Sequence, residues 1–241
     1  MLAGRSRRRT QPVVDEIIAG GNSAEFLNLD LASLESARTA AKTFEATGRT
    51  IDVLVNNAGV GATRGVTEDG FEVQFGTNHL GHFMFTHHLR PTFRPGTRII
   101  QVSSEVHRRA QEVNYSRVRH RSRTFYGLGD YAVSKLANIL FVREMARRQP
   151  DWHLHAVHPG LTNTNIIPRI ARPFLRRRLL TPKQAADTVV WCATSEEVSE
   201  ESGLYYARRL VLTPSAQALN DVRAAELWRR SEEWCGVAPQ H

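Results

Sequence analysis

The chain has 241 residues, of which 41% are hydrophobic and 23% charged, and its formal net charge is +8 at pH 7. Those proportions are typical of globular proteins and exclude a wholly disordered, collagen-like or coiled-coil chain. The longest purely apolar runs, such as residues 139–142, are far shorter than the ~20 residues of a membrane-spanning helix. We therefore expect a cytoplasmic protein with no membrane partner and with one domain over residues 1–241.

The excess of basic residues is almost entirely arginine, with 29 arginines and three lysines among the 32. The arginines are densest at residues 5–9, 117–123 and 169–178, where they could attract phosphates. No helix-turn-helix spacing, zinc-finger motif or interleaved aromatic stripe accompanies them, so we interpret them as solvated charge and predict no nucleic-acid partner. Cys192 and Cys235 stand alone, which predicts neither a disulfide framework nor a metal site.

Short apolar runs alternate with helical periodicity along the whole chain. The predicted strands lie at 24–31, 51–55, 97–103, 153–158 and 203–211. The predicted helices lie at 33–47, 69–93, 131–148, from Thr181 onward, and at 215–234. This alternation is typical of an α/β fold, in which a doubly wound, mostly parallel sheet carries helices on both faces.

Tyr131 and Lys135 lie four residues apart on a predicted helix, so both side chains project from one face. A tyrosine with a pKa near ~10 is a poor acid or base at neutral pH. A nearby ammonium favours the phenolate, so this spacing predicts a lowered pKa for Tyr131. The pair alone is weak evidence, since it occurs by chance on many helices.

Other polar residues fall at the carboxyl ends of predicted strands, where open α/β sheets bind ligands. Ser103 and Ser104 end one strand, and the segment 56–59 follows another. Asn78 lies inside the long helix after that segment, where an amide needs a hydrogen-bond partner. We interpret Ser103 as a packing hydroxyl, and the four histidines of residues 79–88 as core or surface residues rather than metal ligands.

In this order, the motifs closely resemble those of the short-chain dehydrogenase/reductase family, and most of all its retinol-dehydrogenase-like branch. The segments that carry the resemblance are LAGR at 2–5, NLDL at 28–31, NNAG at 56–59, TNHLGHF at 77–83, VSS at 102–104, YAVSK at 131–135 and HPG at 158–160. The resemblance implies a Rossmann-type sheet and hydride transfer between a nicotinamide cofactor and an apolar alcohol, aldehyde or ketone.

Four residues match the catalytic positions of the resembled family. Tyr131 resembles the general acid/base, and Lys135 the ribose-binding residue that lowers the pKa of that tyrosine. Ser104 resembles the residue that polarises the carbonyl, and Asn78 the amide that completes a water-mediated proton relay.

The resemblance also implies the cofactor contacts. Adenine and its ribose would be contacted by Asp30 and by residues 56–59, which include Asn56, Ala58 and Gly59, and Tyr131 and Lys135 would also touch the cofactor. The nicotinamide end would lie near Pro159, Gly160 and Thr164. Arg5 is similar to the basic residue that binds a 2′-phosphate, and no acid occurs in LAGR, so the resemblance favours NADP(H) over NAD(H).

The sequence departs from the resembled family at its start. The family's first strand and its Thr-Gly-x-x-x-Gly-x-Gly turn are absent, so the backbone nest and helix N-terminus that bind the pyrophosphate are missing. The sheet would lose the strand between its second and fourth members, leaving both without a ladder partner. We expect weak or absent NADPH binding by this chain.

Three explanations of this departure stay open. The start of the chain could be misassigned or truncated, which we favour because the catalytic positions are intact. A shortened relative could have lost catalysis, or another chain could supply the strand. The alternative function is therefore a catalytically silent interaction or regulatory module. Residues 165–180 resemble the family's substrate lid, and the long helices at 69–93 and 131–148 favour a homodimer or homotetramer.

Overall fold

The computed structural model describes residues 1–160, 180–198 and 201–238. Strands alternate with helices along most of this length. The strands are β1 (Leu2–Gly4), β2 (Phe26–Asn28), β3 (Ile51–Asn56), β4 (Phe93–Val102), β5 (His153–His158), β6 (Leu204–Ala207) and β7 (Leu210–Val211). The helices are α1 (Arg7–Ala19), α2 (Leu34–Glu45), α3 (Val73–Phe75), α4 (Gly81–Leu89), α5 (Leu128–Arg148), α6 (Pro182–Thr194) and α7 (Asp221–Cys235).

The strands form a five-stranded sheet in the order β3-β4-β5-β6-β7, which is parallel except for its last pair. A separate two-stranded parallel sheet contains β1 and β2. Buried side chains of α4, α5 and α7 pack in one core cluster, and those of α6 pack in a second with β5 and β6. The predicted α/β architecture with a mostly parallel sheet is confirmed.

In the described residues the two sheets share no strand. Within the described residues β1 pairs only with β2, and β3 pairs only with β4. Val53 and Val55 on β3 are 38% and 40% exposed, whereas Ile99 and Ile100 on the doubly paired β4 are fully buried. A parallel strand is ordinarily covered on both faces, so the loss of ladder partners that we expected for β1 and β3 is present in the structure.

The long helix predicted at 69–93 is shorter and interrupted. It begins at Val73, because the Glu72 carboxylate accepts hydrogen bonds from the next backbone N–H groups. A π-helical turn at Gly76–Leu80 joins α3 to α4, and α4 ends at Leu89 ahead of Pro91.

Strand boundaries also differ from the predicted ones. β4 starts at Phe93 because this residue already pairs with Ile51 of β3. The strand predicted at 203–211 is a hairpin of β6 and β7, since Arg208 and Arg209 adopt positive φ angles and turn the chain. The strand predicted at 24–31 contains only β2, and the helix predicted at 215–234 begins at Asp221.

The C-terminal helix α7 covers the apolar side shared by α4 and α5. The Trp228 ring stacks on Phe141 at 5.9 Å between centroids and meets Phe83 edge-on at 5.0 Å. Within this layer His79 is fully enclosed, and its Nε2 lies 2.9 Å from Ser231 Oγ. His79 is therefore a core residue, as predicted. No helix in the described part of the chain is long and apolar enough to cross a membrane.

One close contact attaches the two-stranded sheet to the rest of the protein. Leu31 follows β2, and a Cβ added at Gly81 would lie 2.3 Å from the Leu31 carbonyl oxygen and 2.9 Å from Leu31 Cβ. Only a glycine allows α4 to approach the chain this closely.

We expect Gly81→Ala to lower the free energy of unfolding by ~1–3 kcal/mol, because the added methyl group cannot be accommodated without backbone movement. Urea denaturation would measure the change. Gly65→Ala is the matched control, since a Cβ there lies at an ordinary 3.8 Å from Val73. A Gly81→Ala protein as stable as the Gly65→Ala protein would contradict the proposed contact.

Candidate active site

Three of the predicted catalytic residues meet at the carboxyl end of β4. The Tyr131 side chain lies near that of Ser104, the second residue after the strand, close enough for the Ser104 hydroxyl to affect the pKa of Tyr131. Lys135 lies one turn further along α5, with its Nζ 5.6 Å from the Tyr131 ring centroid. Lys135 Nζ donates a hydrogen bond of 2.9 Å to the Val102 carbonyl. A hydroxyl pair that can bind a substrate oxygen therefore stands beside a buried ammonium.

The pKa values of Tyr131 and Lys135 differ from the prediction. Burial raises the pKa of Tyr131 to about 12, although the Ser104 hydroxyl acts in the opposite direction. Burial also lowers the pKa of Lys135 to about 8. The prediction that Lys135 lowers the pKa of Tyr131 is wrong for the protein as described, because desolvation dominates at both groups and the Lys135 ammonium is directed at the Val102 carbonyl.

Asn78 connects the loop after β3 to helix α5. Its Nδ2 donates to the Val60 carbonyl (2.9 Å) and to Ser134 Oγ (3.0 Å), and its Oδ1 accepts from the Val60 N–H (2.7 Å). Both amide hydrogens are thus engaged within the protein. The π-helical turn carries Asn78, and the structure gives its side chain a positioning function; the predicted proton relay stays a prediction.

The segment after β3 passes directly over this arrangement. A Cβ at Gly59 would lie 2.9 Å from Asn78 Oδ1 and 3.8 Å from Lys135 Nζ. Ala58 beside it is exposed. Glycine at position 59 therefore lets the backbone after β3 lie directly against the Asn78 amide, next to Lys135.

Asn56 does not present its side chain to this space. It is buried, and its Nδ2 donates to Thr86 Oγ1 on α4 at 2.9 Å. Any cofactor contact from Asn56 would therefore use its backbone. Register alone could not reveal this, because the side chain at a strand end can turn toward either layer.

The predicted adenine and phosphate contacts belong to the other sheet. Arg5 directly follows β1 and is exposed, with no hydrogen bond or ion pair to the described residues. Asp30 Oδ1 accepts from the Ala32 N–H at 3.0 Å and so shapes the turn after β2. Because β1 and β3 are not paired, these residues are not joined by one sheet to Tyr131 and Lys135.

The predicted nicotinamide contacts are only partly within the described residues. Pro159 and Gly160 follow β5 at the same sheet edge, and Gly160 has a φ of +88°. A Cβ at Gly160 would lie 2.5 Å from the tip of the Leu180 side chain, and the positive φ angle is what requires glycine at this position. Thr164 and residues 165–179 of the predicted lid lie outside the described residues.

Ser103 and His82, which we predicted to be packing, core or surface residues, make contacts within the protein. Ser103 Oγ donates to the Lys135 carbonyl at 2.7 Å and so holds α5 against β4. His82 Nδ1 lies 3.0 Å from the Asn78 carbonyl in a buried environment. The described residues contain no group of three or more acidic, histidine or cysteine side chains that could hold a metal ion.

Sequence reasoning missed the residues that fix the loops around Tyr131. Gln74 Nε2 donates to the Gly127 carbonyl (2.7 Å) and the Thr63 carbonyl (3.2 Å). Ser134 Oγ accepts the hydrogen bond from Asn78 Nδ2. Ser134 lies inside the YAVSK segment, which we interpreted only for its tyrosine and lysine. Glu72 precedes a helix, and this position could have identified it as an N-cap.

Glu72 is the most strongly perturbed carboxyl group near the site. It is 1% exposed, and burial raises its pKa from 4.5 to about 7 against the opposing effect of hydrogen bonds from the Phe75 and Gln74 backbone; the charge of Asp130 adds to the rise. The folded protein therefore binds a proton that the unfolded chain releases between these two pH values. The resulting stabilisation is complete below pH 4.5 and is lost as the pH rises through 7.

We expect Glu72→Gln to become more stable relative to wild type as pH rises, by about 2–3 kcal/mol between pH 5 and pH 8. The glutamine can still accept from the helix N–H groups but carries no charge to bury. Urea denaturation at several pH values would measure this difference. Glu68→Gln, at an exposed position of the same turn, is the control, and a pH-independent difference for Glu72→Gln would contradict the expectation.

Comparison with known proteins agrees with this geometry. A family profile described as "short chain dehydrogenase" matches residues 1–172. Dehydrogenase/reductase SDR family member 13 from Bos taurus is 34% identical over 99% of this chain and 67% of its own length. Retinol dehydrogenase 14 from Mus musculus is 37% identical over 87% of this chain and 66% of its own length. The chain thus spans about two thirds of the length of these relatives.

Solved structures are similar over most of the described fold. An uncharacterized protein from Mycobacterium paratuberculosis has a TM-score of 0.78 and 30% identity, covering 99% of this chain and 84% of its own. A blue fluorescent protein from a metagenomic library, solved in complex with NADPH, has a TM-score of 0.65 and 24% identity over 82% of each chain. The second likeness shows the fold alone.

Proposed function

The chain belongs to the short-chain dehydrogenase/reductase family, whose members are oxidoreductases, and we propose that it transfers a hydride between NADP(H) and an apolar alcohol, aldehyde or ketone. The observation that carries this proposal is the placement of the Tyr131 and Ser104 hydroxyls beside Lys135 at the carboxyl end of β4. That edge is where open α/β sheets bind ligands.

The described residues fit the nicotinamide end of such a cofactor. The backbone at Gly59 lies against Asn78 and near Lys135, and Gly160 follows β5 at the same sheet edge. Lys135 and Tyr131 would hold the ribose, and the bound nicotinamide would supply or accept the hydride. Tyr131 would give its hydroxyl proton to the substrate oxygen in reduction, while Ser104 would donate a hydrogen bond to the same oxygen.

Only one direction of proton transfer at neutral pH, the removal of a proton from an alcohol, requires a lower pKa for Tyr131. Its pKa of about 12 in the protein as described keeps the hydroxyl protonated, which suits it to act as an acid toward a carbonyl oxygen. As a base toward an alcohol it would need stabilisation of the phenolate, by an ammonium nearer than the present 5.6 Å from its ring centroid. The structure therefore favours reduction as the reaction to test first.

Support for NADP(H) over NAD(H) comes from the end of β1. Arg5 is exposed there and is not neutralised by a described acidic partner, and a free guanidinium matches the geometry of a 2′-phosphate. The blue fluorescent protein of similar fold was solved with NADPH.

In a form of the protein that binds NADPH, we expect Tyr131→Phe to reduce turnover of an aldehyde such as nonanal by at least ~100-fold, which is the usual effect of losing a general acid. NADPH fluorescence titration should show that cofactor binding is retained. Tyr126→Phe is the matched control, since Tyr126 is 43% exposed. Turnover by the Tyr131→Phe enzyme equal to that of the control would remove Tyr131 from its proposed role.

The alternative function, a catalytically silent interaction module, is supported by the open edges of β1 and β3. No strand or glycine-rich turn occupies the position between them in the described residues, so a principal source of pyrophosphate affinity is missing. The matching residues Ser104, Tyr131 and Lys135 favour an enzyme over a silent module, because drift after loss of function should scatter its changes.

We expect residues 1–241 alone to bind NADPH weakly or not at all, because the cofactor phosphates lack a backbone nest. Titration of this chain should be compared with a longer chain that includes the in-frame upstream sequence. A strand followed by Thr-Gly-x-x-x-Gly in that sequence, together with restored binding, would support the enzyme. An immediate upstream stop codon would favour the silent module, and tight binding with normal turnover by residues 1–241 would contradict the expectation.

We also propose self-association as a homodimer or homotetramer. The helices that the resemblance assigns to such contacts, α4 and α5, already pack against α7 through Phe83, Phe141 and Trp228. A dimer built on α4 and α5 would therefore use their remaining exposed surface or displace α7.

A further inference from the structure

The turn between β6 and β7 contains two arginines in an unfavourable backbone conformation. Ala207 pairs with Leu210, so Arg208 and Arg209 are its two central residues, with φ angles of +53° and +59°. Hairpin turns of this kind strongly prefer asparagine or glycine, because a Cβ is strained at positive φ. Strain retained in a fold points to a role for the side chains that it positions.

The two arginines differ in what they contact. Arg209 forms a two-pronged ion pair with Asp187, in which its Nε lies 2.8 Å from Oδ2. Arg208 is exposed and makes no hydrogen bond or ion pair with the described residues. The Asp187 pair thus explains Arg209, whereas nothing in the described structure compensates the conformation of Arg208.

Arg208 lies at the same sheet edge as the candidate active site. Ser104 follows β4, His158 ends β5 and Arg208 follows β6, three neighbouring strands of one sheet. Ala207 is the register partner of His158. The positive charge of Arg208 is near enough to contribute to lowering the pKa of His158, for which burial is the larger cause.

The other groups at this edge do not neutralise Arg208. The Glu105 carboxylate accepts hydrogen bonds from Tyr205 Oη (2.6 Å) and from Arg108 Nε (2.8 Å). Burial lowers the pKa of His158, and its buried Nδ1 has no hydrogen-bond partner among the described residues. In the described part of the chain Arg208 is therefore an unpaired cation at the end of β6, two strands from the end of β4 that precedes Ser104.

We propose that Arg208 binds the carboxylate of an amphipathic substrate, whose apolar chain places a carbonyl group at Tyr131. The planar guanidinium matches a carboxylate with two parallel hydrogen bonds. This inference rests on the proposed function, because it assigns a polar end to the substrate of the same site. The substrate class is thus a medium- or long-chain oxo acid rather than an uncharged aldehyde.

Binding of the carboxylate can be measured without turnover. Isothermal titration calorimetry of the chain should show that nonanoate binds about tenfold more tightly than 1-nonanol at low salt, the effect of one charge-assisted contact. High salt should weaken this preference. Equal affinities for the two probes would overturn the proposal.

Variants of the turn separate a structural from a binding role. We expect Arg208→Asn to raise the melting temperature, because asparagine tolerates positive φ, while abolishing the preference for nonanoate. Arg208→Lys should keep part of the preference. Arg209→Asn removes one charge from the same turn and is the matched control, which should keep the full preference. An Arg208→Asn protein that still prefers nonanoate would overturn the assignment.

Steady-state turnover of two aldehydes provides a second test of the proposal. In a form of the protein that binds NADPH, the ratio of kcat/KM for 9-oxononanoate to that for nonanal should fall about tenfold in Arg208→Asn and stay at the wild-type value in Arg209→Asn. An unchanged ratio in Arg208→Asn would contradict the proposal. If that NADPH-binding form also binds nonanoate through Arg208 but reduces neither aldehyde, the binding site stands and the proposed oxidoreductase activity fails.

Discussion

The carbonyl oxygen of Val102 fixes the candidate site, because it accepts hydrogen bonds from both Lys135 Nζ and Asn138 Nδ2. Ser103 Oγ adds a bond to the Lys135 carbonyl. These three bonds hold α5 against the end of β4, and this places Tyr131, one turn earlier on the helix, against the Ser104 hydroxyl. A buried ammonium bound to a strand carbonyl is thus the structural origin of the geometry of the candidate site, and the lowered pKa of Lys135 reflects its desolvation.

The elements and the arrangement of the site could be predicted from periodicity and motif order, whereas its electrostatics could not. The strand at 153–158 has the predicted bounds, because a short apolar run followed by Pro159 and Gly160 marks a buried strand and its end. The pKa of Tyr131 depends on how deeply the ring is buried and on where the Lys135 ammonium points, and a spacing of four residues specifies neither. For the same reason the sequence could not show that Asn56 turns toward Thr86 and away from the sheet edge.

Asn78 lies near the candidate site, as predicted, but its side chain hydrogen-bonds to other protein groups. Its amide joins the Val60 backbone to Ser134 and so bonds the loop over Lys135 to the helix beneath it. Gln74 links the Thr63 and Gly127 backbones in the same way. Both amides bridge segments far apart in sequence, and single-sequence patterns carry no signal for such pairings. The sequence therefore locates the reacting groups, and the fold supplies the bonds that hold them still.

The division into two sheets sets the limit on what this site can bind. Arg5 and Asp30 follow β1 and β2, while Ser104, Gly160 and Arg208 follow strands of the larger sheet. In the described residues the smaller sheet is attached through α2, which packs on α4, and through the Leu31 carbonyl against Gly81. A ligand that spans both sheets would thus depend on a helix contact for its alignment instead of on strand pairing. A ligand confined to the larger sheet does not have this dependence, so substrate contacts near Ser104 and Arg208 are better ordered in this chain than contacts to a distant cofactor phosphate.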